Sequence, residues 1–95
     1  MNAIEWLQKA RKRIENPENW AQGRYRCGNS FCAVGALYIE EDNMGNQCAF
    51  NKVYELLQDV CLSMGGTRSI SYFNDHHSHA EVIAAFDEAI RRLEK

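Results

Sequence analysis

The stretch Ser78-His-Ala-Glu-Val-Ile-Ala-Ala-Phe-Asp-Glu-Ala-Ile90 places apolar side chains at Val82, Ile83, Phe86 and Ile90, and Leu93 continues the row. That spacing matches one face of a 3.6-residue helix and predicts a helix over 79–94. Ser78-x-x-Glu81 is the signature of a capping box, so the helix has a defined start. Working back along the chain, Val53, Leu56, Leu57, Val60 and Met64 form a second such stripe, predicting a helix over 52–64. Asn51 is suited to cap that helix, and Gly65-Gly66 to end it. Ile4, Trp6, Leu7, Ala10, Arg11 and Ile14 predict a third helix over 2–15, closed by Asn16-Pro17 because the residue before proline avoids the helical region. Asn16 can also cap a short turn with Pro17 at its first position, carrying Trp20 and stopping at Gly23.

Between these, residues 24–29 read as a polar loop bearing Arg24 and Arg26. Ser30 offers a cap for a helix over 31–40 whose buried side is Cys32, Ala33, Gly35, Ala36 and Leu37. Glycine inside a helix costs up to ~1 kcal/mol relative to alanine, so Gly35 implies close approach of a neighbouring helix. Residues 41–49 read as a second polar loop around Gly45, and residues 67–77 as irregular or briefly extended, with Ile70 and Tyr72 alternating with polar neighbours. The expected fold is all-α: one compact domain over 1–95 with four main helices and a short helical turn.

Composition agrees. Ninety-five residues support one small core, and ten aromatics supply the large buried area that disordered chains lack. No apolar run approaches the ~20 residues that span a bilayer, and no apolar leader opens the chain, so a cytoplasmic setting is expected. Reduced, mostly buried thiols are then the expectation for Cys27, Cys32, Cys48 and Cys61. Charge is uneven. Residues 1–26 hold six basic against three acidic side chains; residues 27–66 hold Lys52 against Glu40, Glu41, Asp42, Glu55 and Asp59. With a net charge of −2 the chain has a basic end and an acidic belt but not the overall basicity of a general nucleic-acid binder.

Three blocks carry polar groups that a plain core would not need: Trp20-Ala-Gln-Gly23, Cys32-Ala-Val-Gly-Ala-Leu37 and Phe73-Asn-Asp75. Together with the closing Glu81-Val-x-x-x-Phe-Asp-x-Ala-Ile90 helix they resemble a family of small uncharacterised proteins of bacteria and their phages, named only as a domain of unknown function. The resemblance covers roughly residues 4–92, with Trp20, Gln22, Gly23, Cys32, Gly35, Ala36, Leu37, Asn74, Asp75, Val82 and Ala89 on its motif positions. Where family members often have a proline-rich turn after Asn-Asp, this chain has His76-His-Ser-His79. The resemblance implies a shared fold and a mobile-element context, and no activity.

Four chemical readings follow from the residues. Cys32 in the first turn of a helix could be a thiolate nucleophile with its pKa lowered by the helix dipole, His76, His77 or His79 its base, Asp75 or Asn74 the orienting group and Gln22 an oxyanion donor. The plain alternative is a small buried cysteine. Cys27 and Cys32 with those histidines would be a loose zinc set, lacking a second close pair, so neither metal nor cofactor is expected. Trp20, Gln22, Asn74 and Asp75, with Arg24, Arg26 or Arg68 for phosphates, would suit a nucleotide; alternatively the amides and the carboxylate satisfy buried backbone groups. The run Gln8-Lys-Ala-Arg-Lys-Arg13 could contact phosphate or a partner and otherwise is a solvated face; the acidic Glu40-Glu-Asp42 loop could mimic phosphate toward a basic host protein and otherwise is solvated. The favoured expectation is a non-enzymatic phage or mobile-element protein. It would inhibit a host protein or protein–RNA complex, such as a CRISPR effector, binding through Trp20, Gln22, Arg24, Arg26, Asn74 and Asp75. A nucleotide-sequestering module and a cysteine hydrolase (Cys32, His76, Asp75) are the alternatives.

Overall fold

The computed structural model describes residues 3–44 and 47–94, with the backbone alone at 40–44 and 47–49. Its helices are α1 (Ala3–Ile14), α2 (Ala33–Met44), α3 (Gln47–Gly65), α4 (Ile70–His76) and α5 (His79–Leu93). A 3-10 turn at Pro17–Asn19 and a two-stranded antiparallel hairpin, β1 (Arg26–Cys27) and β2 (Ser30–Phe31), lie between α1 and α2. The chain is thus mainly helical, as its periodicity requires.

α1 lies at the centre, against α2, α5 and α3; α3 in turn rests on α5 and α4. The core forms where their apolar stripes meet, one buried cluster that includes Trp6, Leu7, Ile14, Leu37, Val53, Leu57, Phe73 and Phe86. Each such large side chain taken fully from water contributes ~1.5–3 kcal/mol. The indole N–H of Trp6 donates to Leu37 O at 3.2 Å, so its burial leaves no unpaired donor. Asn16 accepts from Glu18 N at 3.0 Å with Pro17 in the first position, and Ser78 and Glu81 close the expected capping box. At the other end of α5, Arg91 and Arg92 both donate to Glu88, which holds its carboxyl down to about 2.

Several local expectations are corrected. Residues 70–76 are a helix, not irregular or extended: Ser69 caps it by accepting from Tyr72 N at 3.2 Å, and Ile70, Phe73 and Asn74 face inward. Residues 41–44 and 47–49 are helical rather than loop, so Asn51 sits inside α3 and not at its start; Gly45 lies outside the described residues. Along α3, Cys61 is buried where Met64 was expected, and Met64 is exposed. The side chains of Glu40, Glu41, Asp42 and Cys48 lie outside those described.

The polar loop at 24–29 contains a tight hairpin. Gly28 has a positive φ and Asn29 does not, as in a two-residue turn with glycine first. Ser30 therefore belongs to a strand, and its hydroxyl donates to Glu18 O at 2.7 Å instead of capping α2. Gly35 does mark a close approach, but the neighbour is this loop and not a helix. A Cβ at position 35 would stand 2.0 Å from Tyr25 O, which accepts from Cys32 N at 3.1 Å.

Candidate functional site

The residues singled out for their polar chemistry do converge, and their first task is to finish helices. Asn74 is 0% exposed, and both ends of its amide are fully engaged. Its Oδ1 accepts from the Trp20 indole at 2.7 Å and from Ala33 N at 3.0 Å. Its Nδ2 donates to Ala21 O at 2.9 Å and to Asp75 Oδ1 at 3.2 Å. One side chain on α4 thereby caps the start of α2 and ties down the 20–21 segment. Gln22 reciprocates at the end of α4, where its Nε2 lies within 3.1 to 3.3 Å of the carbonyls of Asn74, Asp75 and His77. Helix ends leave N–H and C=O groups unpaired, and these two amides supply partners from outside the helices themselves.

Asp75 accepts from Gly23 N at 2.8 Å through the same Oδ1, and Gly23 takes a positive φ there. Trp20, Gln22, Asn74 and Asp75 thus form one hydrogen-bonded knot. Asn74 has no capacity left for a ligand. Beside the knot lies an open cavity of about 230 Å³, lined by Gly23, Arg24, Tyr25, Cys32, Ser71 and Asp75.

Cys32 sits immediately before α2. Its Sγ accepts from Gly35 N at 3.3 Å, in the manner of a capping side chain. Burial nevertheless outweighs these backbone hydrogen bonds and pushes the thiol pKa up, against the expected depression by the helix start. The histidines do not serve it. The Nδ1 atoms of His76 and His77 donate to the carbonyls of Tyr72 and Phe73 at 2.9 Å, with the rings stacked on those same residues. His79 Nε2 donates to Ile14 O at 2.6 Å, closing α1. The Cys32–His76–Asp75 arrangement required of a hydrolase lacks its thiol–imidazole hydrogen bond. Among the described residues no group of three His, Cys, Asp or Glu side chains is placed to share a metal ion.

Thiol labelling checks this directly. Iodoacetamide at neutral pH is expected to modify exposed Cys27 first. Cys32, and Cys61 whose pKa is pushed up to about 12, should follow only as the protein opens. Peptide mass spectrometry showing Cys32 modified ahead of Cys27 would restore a nucleophilic role.

The arginines divide. Arg68 is paired with Asp59 at 2.8 Å. Arg26 donates from Nε to Gly28 O at 2.9 Å and lies over the Phe31 ring at 5.2 Å. Arg24 borders the 230 Å³ cavity. The basic run on α1 is not wholly a solvated face, because Lys12 and Arg13 wall a cleft that Arg26 also lines.

Residue-by-residue reading missed an aromatic strip on the surface. Tyr25 and Tyr38 are 58% and 46% exposed, with ring centres 6.4 Å apart. Tyr38 stacks on Phe50 at 5.0 Å, and Phe50 reaches Tyr54 at 5.6 Å. The available signal was Tyr38 directly after a run of small and buried residues, and Tyr54 one step off the Val53–Leu57 face.

No helix among the described residues is long and apolar enough to cross a membrane. Comparison with curated proteins and with solved structures finds no match. The family described as a family of unknown function, DUF6197, matches residues 1–92, nearly the whole chain, and the protein belongs to that family.

Proposed function

We propose that this protein is a small non-enzymatic binding protein that docks on a protein partner through the Tyr25–Tyr38–Phe50–Tyr54 strip. The observation that carries the reading is the exposure of Tyr25 and Tyr38 at the edge of a continuous run of ring contacts, edge-on between Tyr25 and Tyr38 and stacked between Tyr38 and Phe50. Tyrosine presents large amphipathic area at little cost in side-chain entropy, and tyrosine with arginine is the composition of interface hot spots. Arg26 shares a cleft with Tyr25 and Tyr38, and Glu55 lies beside Tyr54, so the strip has a basic end and an acidic flank to set orientation. The knot of Trp20, Gln22, Asn74 and Asp75 would shape this surface from behind rather than grip the partner. A host protein in the cytoplasm, of the kind a phage or mobile element must disable, such as a component of antiviral defence, is the target class we propose; its support is the family resemblance.

The test is recovery of partners from host lysate by tagged protein, quantified against two single variants. Tyr38→Glu is expected to lose a stoichiometric partner that the wild type retains. Tyr72→Glu, an equally exposed tyrosine on α4, is expected to keep it. Equal recovery by both variants, or no stoichiometric protein with the wild type, rejects the strip as the docking surface.

A further inference from the structure

One small cavity is lined by two opposite charges that do not pair. It is the space of about 230 Å³ beside the hydrogen-bonded knot, walled by Gly23, Arg24, Tyr25, Cys32, Ser71 and Asp75. Three pieces of chain contribute: the 23–25 loop, the residue before α2, and α4, on which Ser71 and Asp75 are four apart and so share a face. Among the described residues Arg24 has no hydrogen-bond or ion-pair partner, and neither does the Ser71 hydroxyl. Asp75 accepts through Oδ1 from Gly23 N at 2.8 Å and from Asn74 Nδ2 at 3.2 Å, while its Oδ2 has no partner and no cation pairs with it among those residues.

The walls are fixed against one another. The Gly23–Asp75 bond ties the loop to α4. Tyr25 O accepts from Cys32 N at 3.1 Å and stands over Gly35, which seats the same loop on α2. Cys32 Sγ is held by Gly35 N at 3.3 Å. A recess built this way gives up little freedom when a ligand enters.

The charges decide the class of ligand. An anion drawn to Arg24 is repelled by Asp75, and a cation drawn to Asp75 is repelled by Arg24. A molecule carrying both signs on neighbouring atoms meets both. The cavity is smaller than the roughly 300–1,000 Å³ that drug-sized ligands occupy, so the molecule is compact. The rest of the lining is the Tyr25 ring and the Cys32 sulfur, a polarisable and largely apolar surface. We infer that this cavity binds a free α-amino acid with an apolar side chain. Its carboxylate pairs with the Arg24 guanidinium, its ammonium donates to Asp75 Oδ2 and the Ser71 hydroxyl, and its side chain rests on Tyr25 and Cys32. A longer peptide does not suit the site, because its amine and carboxylate stand at opposite ends. The site shares Tyr25 with the docking strip, but it is read on purified protein with no partner, so either assignment can fail while the other stands.

Titration of the purified protein with L-leucine, followed by amide chemical shifts, tests it against two analogues that each lack one charge. These are 4-methylpentanoate, without the ammonium, and 3-methylbutylamine, without the carboxylate. L-Leucine is expected to bind saturably, with shifts clustered at Gly23, Arg24, Tyr25, Ser71 and Asp75. Each analogue is expected to bind about three- to tenfold more weakly, the size of one charged contact in a site open to water. Arg24→Ala removes an exposed, unpaired side chain and should weaken L-leucine by a similar factor while leaving 3-methylbutylamine unchanged. Asp75→Asn keeps an oxygen for Gly23 N–H, and should weaken L-leucine but not 4-methylpentanoate. Lys9→Ala, exposed on α1 and outside the cavity lining, should change nothing. No saturable shift with L-leucine, either analogue binding as tightly as L-leucine, full affinity in Arg24→Ala, or an equal loss from Lys9→Ala overturns the assignment.

Discussion

Asn74→Ala is expected to lower the unfolding free energy by about 3–5 kcal/mol, a large share of the roughly 5–15 kcal/mol that a domain ordinarily has. The truncation removes four hydrogen bonds at once. It leaves the Trp20 indole N–H, Ala33 N–H and Ala21 O without their partner. Each buried orphan costs roughly 1–3 kcal/mol, and water entering the small space left behind recovers part of the sum. Asn74→Asp tests the same point without changing volume. It replaces the Nδ2 donor with an acceptor facing Ala21 O, beside the carboxylate of Asp75, and is expected to be at least as damaging at neutral pH. Urea unfolding followed by tryptophan fluorescence reads both variants. A loss under 1 kcal/mol for Asn74→Ala would show that the knot is ornamental to stability.

The second large effect is at Gly35. Replacing glycine by alanine inside a helix ordinarily gains up to ~1 kcal/mol, so intrinsic preference alone predicts stabilisation. Geometry predicts the reverse. The new methyl would stand 2.0 Å from Tyr25 O and 2.9 Å from Tyr25 C, both backbone atoms with no rotamer in which to retreat. The 23–25 loop would have to lift, breaking the Cys32 N to Tyr25 O bond and moving the first ring of the aromatic strip. Overpacking of this kind costs typically 1–3 kcal/mol and here adds a lost hydrogen bond, for an expected net loss of about 2–4 kcal/mol in denaturant unfolding. The variant should also weaken partner recovery, because Tyr25 is displaced with its loop. Gly35→Ala more stable than the wild type would mean that the loop does not rest on this helix.

Helices α1, α3 and α5 were legible because each runs long enough for its apolar stripe to repeat. α4 was not. In seven residues only Ile70, Phe73 and Asn74 point inward, and an asparagine does not register as part of a buried face. The hairpin carried a readable sign in Gly28-Asn29, but strands of two residues have no alternation to support it. The start of α2 was misassigned for a different reason. Ser30 has the chemistry of a cap, yet the N–H of Ala33 is met by a side chain 41 positions further along the chain. Local rules see only neighbours in sequence. The same limit applies to the sites. That Trp20, Gln22, Asn74 and Asp75 might satisfy backbone groups was readable from residue type. The strip and the basic cleft were not, since each is assembled from side chains of several elements and exists only once those elements are in place.

Asn74 lies more than forty residues beyond the groups it satisfies, on Trp20, Ala21 and Ala33. During vectorial synthesis the early segment emerges with its indole and its first helical amide still bound to water. Only when α4 clears the ribosome can those groups exchange solvent for the carboxamide. The start of α2 and the 20–21 segment are therefore completed only once the helix that carries Asn74 has been made.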